Sequence, residues 1–150
     1  MKAAINHFLE TIGHFYQARR AYIFEFDPEN TIMNNTFEWC DENVSREINN
    51  LQEIPIEYAS DWLKMFEEKG NFSISSLHKE LDPSEPGYRI LNDQGIEKLL
   101  AAPFLKGEKI TGFLGVDDPC VNSTDLTLSL IHISAGNWEN AFIQCTAYAL

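Results

Sequence analysis

The stretch ITGFLGVDDP, residues 110–119, ends a strand-like run on two adjacent carboxylates, Asp117 and Asp118. A carboxylate pair can share a proton, clamp a cation or hold a ligand, and each of these requires oxygens that converge. Strand alternation sends successive side chains to opposite faces. Thr111, Phe113, Gly115 and Asp117 then share one face, while Ile110, Gly112, Leu114, Val116 and Asp118 share the other. The two carboxylates diverge. They read as the end of a strand before an Asp-Pro turn, with Asp117 alone kept as a pocket candidate. Glu25 stands mid-strand among apolar neighbours, where an unpaired carboxylate is costly. It reads as a ligand contact or as an ion-pair partner for Arg19 or His14.

Other reactive side chains are scattered. His7, His14, His78 and His132 form no HExxH-type pattern, so no metal site is expected. Cys40, Cys120 and Cys145 have no neighbouring base, and no G-x-S-x-G is present. Gly112-x-x-Gly115 lies within a strand and leads into no helix. It predicts a close approach by backbone or ligand rather than a phosphate cradle. The aromatics are more concentrated: Tyr22, Phe24 and Phe26 share one strand face, and Phe37 and Trp39 share a face of the next strand. Such a set can be core or can wall a small-molecule site.

The elements that position these residues follow from periodicity. Ile5, Phe8, Leu9, Ile12, Phe15 and Tyr16 recur at helical spacing, so residues 3–17 read as an amphipathic helix. AYIFEFD, 21–27, is apolar on both faces and predicts a central strand covered on two sides. DPEN turns the chain into a returning strand, TIMNNTFEWC. PIEYASDWLKMFEEKG has Pro at its start and Gly at its end, the punctuation of a helix. NFSISSL predicts a short strand, and residues 78–95 a loop with a helical turn or two. IEKLLAAPF and KITGFLGVDD predict a hairpin through LKGE, with Pro103 at a bulge or at a position whose N–H needs no partner. From Asp125, a possible N-cap, a final helix carries the stripe Leu128, Ile131, Ala135, Trp138, Phe142 and Cys145. The order predicts one α+β domain over 1–150, with an antiparallel sheet of five to six strands.

Bulk properties narrow the function classes. The 150 residues carry 11 Lys and Arg against 23 Asp and Glu, a net charge of −12, which repels phosphate backbones and anionic lipid heads. Nucleic acid is not expected as a partner, nor is membrane insertion, since no apolar run reaches the roughly 18 residues of a span. The N-terminal residues lack a signal-peptide pattern, and three dispersed cysteines suit a reducing cytoplasm. AFIQCTAYAL carries no stop signal, so truncation from a longer chain is expected.

Taken in order, RRAYIFEFD, NTFEWCDENV, LQEIPIEYASDWLKMFEEKGNFSISSL and LNDQGIEKLLAAPFLKGEKITGFLGVDDP resemble a GAF domain. The likeness is strongest to those that serve as input modules of bacterial diguanylate cyclases, phosphodiesterases and sensor histidine kinases. The resemblance implies terminal helices on one face of the sheet and a pocket roofed by loops and short helices on the other. It implies a non-catalytic sensor that binds a small molecule, or dimerises through its terminal helices, to control an attached output domain. The implied ligand-binding residues are Tyr22, Phe24, Phe26, Trp39, Trp62 and Asp117. The cyclic-nucleotide signature of the family is absent, and no cysteine has the adjacent histidine of covalent bilin attachment, so neither ligand is expected. The alternatives are a purely structural dimerisation module with a filled pocket, or a redox enzyme resembling free methionine sulfoxide reductase, which requires two cysteines to meet.

Overall fold

A computed structural model describes residues 1–120. The predicted final helix, its Asp125 cap, His132 and Cys145 lie outside the described residues.

Helix α1 (Lys2–Phe15) leads into β1 (Arg20–Phe26) and β2 (Ile32–Cys40). The turn between them is organised by Asp27, whose Oδ1 accepts from the Thr31 and Ile32 amides at 2.6 and 2.8 Å. These bonds, that to Ile32 first, hold the Asp27 carboxyl below its ordinary range. Next come β3 (Ile54–Pro55), a 3-10 turn (Ile56–Ala59), α2 (Ser60–Lys69) and β4 (Phe72–Ile74). The loop expected over 78–95 is largely helical, with α3 (Leu77–Glu80) beginning just before it and α4 (Pro86–Asp93) within it. The hairpin of β5 (Leu99–Lys106) and β6 (Lys109–Asp117) completes the described chain. Gly107, at φ 65°, supplies the left-handed residue its two-residue turn requires.

Among the described residues the strands form one antiparallel sheet in the order β3-β2-β1-β6-β5-β4. Pro103 pairs with Phe113 one position before a bulge between Phe104 and Leu105, and β4 pairs no further along β5 than Ala101. Its missing N–H therefore costs the outer ladder nothing.

Each face of the sheet carries its own core. Under α1, Ile5, Leu9 and Tyr16 pack on Ala21, Ile23, Leu100, Leu114 and Val116. On the opposite face, Tyr22, Phe24 and Phe113 meet a roof that includes Trp62 and Phe66 of α2 and Leu91 of α4. Central β1 is buried from Arg20 to Phe24, as two-sided cover requires. Glu25 departs from expectation: it is exposed and needs no buried partner, while Arg19 pairs with Asp118 and His14 with Glu10.

Candidate functional site

The polar end of the roof-side core grows from register. Arg20 of β1 lies opposite Asp117 of β6, and two residues on, Tyr22 lies opposite Gly115. A Cβ on Gly115 would run into the Tyr22 ring, so glycine there lets the ring lie flat across the strand. The Tyr22 hydroxyl then reaches Asp117 and donates to its Oδ1 at 2.9 Å. Gly112 similarly admits the carbonyl of Phe24.

Arg20 is 3% exposed and gathers partners from three directions. Its Nη1 donates to Gln94 Oε1 at 3.2 Å and to Asp117 Oδ2 at 3.5 Å. Its Nε donates to the Ser45 carbonyl at 3.0 Å, and its Nη2 meets Ser45 Oγ at 3.5 Å and Glu47 Oε1 at 3.9 Å. Glu38, 6% exposed on β2, takes the Glu47 amide on both carboxylate oxygens at 3.2 and 3.0 Å. The polar loop 41–53 is thereby strapped across the end of the sheet.

Burial pushes the Asp117 carboxyl up to about 7, against the lowering effects of the Tyr22 hydroxyl and of Arg20. Arg20 sits farther away than a charge-assisted hydrogen bond requires, so its attraction only partly offsets the lost hydration. Burial, followed by the Asp117 charge, raises the Tyr22 hydroxyl well above its ordinary range. Beside this cluster, between sheet and roof, about 20 Å³ remains open to the centre of a water, room for one or two. Its lining includes Arg20, Tyr22, Phe24, Asn35, Glu38 and Trp62, together with Gln94 and Asp117.

Four of the six sequence-derived candidates thus come together: Tyr22, Phe24, Trp62 and Asp117 all line this space. Phe26 does not line it and packs instead against the roof-side core, edge-on to Phe113 at 6.1 Å. Trp39 is the correction. It belongs to the α1 face, where Gly13 leaves room for its ring and His14 meets it edge-on at 5.0 Å. The cause is a bulge in β2: Phe24 pairs with Asn35 but Ile23 pairs with Phe37, leaving Thr36 as an extra residue. One inserted residue swaps the faces of all that follow, turning Phe37 and Trp39 to the helix and Glu38 to the pocket. With its amide nitrogen directed at the backbone, Asn35 donates to the carbonyls of Ile23 at 3.2 Å and Phe37 at 2.9 Å, pinning that bulge.

Sequence reasoning missed Arg20, Asn35, Glu38 and Gln94. Arg20 was within reach, since it shares the parity of Tyr22 and Phe24. Asp118, the other carboxylate of the pair, leaves the strand at φ 48°. Its Oδ1 accepts the Glu97 and Lys98 amides, both at 2.9 Å, and its Oδ2 pairs with Arg19 at 3.3 Å, which ties the strand end to the loop before β5.

The roof also holds polar atoms without partners. Both Asp61 oxygens and Trp62 Nε1 are enclosed and find no hydrogen bond among the described residues. All three crowd the place a Cβ on Gly87 of α4 would occupy. Burial raises the Asp61 carboxyl above its ordinary range. Cys40 and Cys120 are free thiols, and burial, reinforced by Glu38, raises Cys40 to about 11, the reverse of an activated thiolate. Among the described residues, no three His, Cys, Asp or Glu side chains are grouped to hold a metal ion, and no helix is long and apolar enough to cross a membrane.

No family model matches the sequence. Solved structures share the architecture. The phycoerythrobilin-bound GAF domain of a cyanobacterial phytochrome aligns at a TM-score of 0.69 and 12% identity, over 99% of this chain and 87% of that one. A Synechocystis GAF domain in its photoproduct state aligns at 0.63 and 12%, over 99% and 89%. A Staphylococcus aureus NreA protein mutated in its nitrate binding site aligns at 0.57 and 15%, over 81% and 90%. This chain has the GAF fold. The α+β architecture and six-stranded antiparallel sheet expected from the sequence are those of the GAF domain. The domain is also 33% identical over 144 residues to the methanogenesis regulatory histidine kinase FilI of Methanothrix harundinacea. That match covers 91% of this chain, which spans only 16% of the kinase.

Proposed function

We propose that this GAF domain is a sensory input module that takes a small molecule between sheet and roof and passes the change to an attached signalling domain. The carrying observation is the cluster of Arg20, Tyr22, Glu38 and Asp117, buried with the half-buried Gln94 beside a small space at the end of an otherwise aromatic core. Enclosed polar groups beside an apolar wall are the ingredients of small-molecule recognition. Likeness to a regulatory histidine kinase supports an output of that kind. The chemistry is recognition rather than catalysis, and the setting is cytoplasmic. Homodimerisation through the terminal helices completes the reading. It is supported by the apolar stripe of α1, which leaves Phe15 60% exposed, and is checked by sedimentation at tens of micromolar.

A second reading is favoured by the tightness of the core. Phe24 stacks on Phe113 at 5.0 Å with planes 13° apart, and Trp62 closes edge-on at 5.5 Å. A filled pocket suits a dimerisation scaffold. A thermal-shift screen of small metabolites decides between the two. The sensory reading expects at least one that stabilises the wild type and loses its effect in Asp117→Asn, whereas the scaffold expects none.

A further inference from the structure

The strap over Arg20 has the chemistry of a ligand the protein supplies to itself. Arg20 presents a planar fork of donors from a nearly water-free position, the arrangement that selects carboxylates. Of its two acidic partners, Asp117 is 1% exposed and fixed by strand register, while the Glu47 side chain is 21% exposed and rides on an irregular loop. Among the described residues Nη2 has only long contacts, 3.5 Å to Ser45 Oγ and 3.9 Å to Glu47. Glu47 is bonded instead within its own loop, its Oε2 accepting from Asn50 at 2.9 Å and its Oε1 from Ser45 at 3.4 Å. On the guanidinium edge facing the strap, Nε is held by the Ser45 carbonyl at 3.0 Å, while Nη2 beside it faces a carboxylate that is badly placed and close to solvent.

We infer that Arg20 is the recognition point for a small carboxylate-bearing ligand, which binds by displacing Glu47 and thereby releases loop 41–53. This rests on the sensory reading above and gives it a ligand class. Charge balance favours exchange over addition. The neighbourhood already holds Asp117 and Glu38, so a second anion beside Glu47 is repelled, whereas a carboxylate that replaces Glu47 leaves the local charge unchanged. The incoming group gains a close seat on Nη2, which becomes bidentate as the Ser45 carbonyl gives up Nε with the released strap, and the outgoing carboxylate gains water. The Glu47 backbone amide is held by Glu38 and the Ser45 carbonyl by Arg20 Nε, so a Glu47 side chain pushed aside pulls on the bonds that fasten the strap at both ends. Recognition at Arg20 is thus coupled to an order change in the covering loop. In the resting protein Glu47 holds the site, which lowers apparent affinity by the fraction of time it is vacant.

The test titrates acetate and propionate, against chloride at equal ionic strength, into the wild type, Glu47→Gln and Arg20→Lys chains. Binding is read by calorimetry and by amide exchange over 41–53. Glu47→Gln is expected to bind acetate about three- to tenfold more tightly than the wild type, and Arg20→Lys to lose it. Acetate is expected to speed exchange of the Glu47 amide in the wild type. Equal acetate affinity in wild type and Glu47→Gln overturns the displacement, as does retained binding in Arg20→Lys. If Arg20→Lys does not fold, the Glu47 comparison decides alone. A pocket that takes metabolites in the thermal screen but no carboxylate overturns this inference and leaves the sensory reading standing; one that takes nothing overturns both.

Discussion

The two faces of the sheet are built from the same six strands and differ in what they enclose. The α1 face is closed by aliphatic and aromatic side chains around Leu9, Leu114 and Val116. The roof face sets a stacked aromatic core beside Arg20, Asp117, Glu38 and Asn35, and leaves Asp61 and Trp62 atoms without a hydrogen bond among the described residues. Among the described residues the α1 face buries apolar side chains and no charged one. The roof face bears the cost of holding polar groups out of water.

That contrast can be broken most forcefully at Phe113, which is fully buried and touches Phe24, Phe66 and Trp62. Phe113→Ala is expected to cost about 3–5 kcal/mol in denaturant unfolding; a smaller loss would mean that the roof collapses freely onto the sheet. Next comes pH. Asp117 titrates near its ordinary 3.8 when unfolded and at about 7 when folded, so the folded state binds the extra proton between those values. Its contribution is fully present below about pH 4, declines as pH rises through 7 and is flat above. The decline amounts to a few kcal/mol, to order of magnitude. Asp117→Asn should flatten that slope in melts run from pH 4 to 8, while Leu9→Ala on the α1 face should shift the whole curve and keep it.

Gly13→Ala sharpens the comparison from the other side. Its new methyl meets the Trp39 ring, and an overpacking loss of about 1–3 kcal/mol with no change in pH slope is expected from thermal melts. Smallest, and opposite in sign, is Asp61→Asn. Removing a carboxylate that burial disfavours, with no hydrogen-bond partner within reach among the described residues, should raise stability by up to about 1 kcal/mol; a drop in melting temperature would show that the nearby helix amides hold its charge.

Much of this architecture was legible because each local signal agreed with the fold. The α1 stripe, the two-sided apolarity of β1 and the β5–β6 hairpin lie where periodicity and turn chemistry put them, whereas the helix bracketed by Pro55 and Gly70 begins only at Ser60, Pro55 closing β3 and residues 56–59 forming a 3-10 turn. Tyr22, Phe24 and Asp117 were legible as pocket residues because strand parity carries a face unaltered along β1 and β6. Trp39 was misplaced because parity fails at a bulge, and nothing in NNTFEW marks Thr36 as the extra residue. The same bulge concealed Glu38. Gln94 arrives from the exit of α4, a segment too short and polar to declare its helical face, and no periodicity reports on such long-range meetings.

The end of β6 is a knot in the main chain. The Asp117 carbonyl takes the Arg19 amide, Asp118 ties back to Lys98, and Cys120 donates to Tyr16 at the exit of α1. The carboxylate that Tyr22 and Arg20 hold is therefore levered onto the same few peptide units that fasten the first helix to the sheet. A guest that moved Asp117 by a fraction of an ångström would turn that fulcrum directly, and the message would leave along the backbone rather than through a chain of side chains.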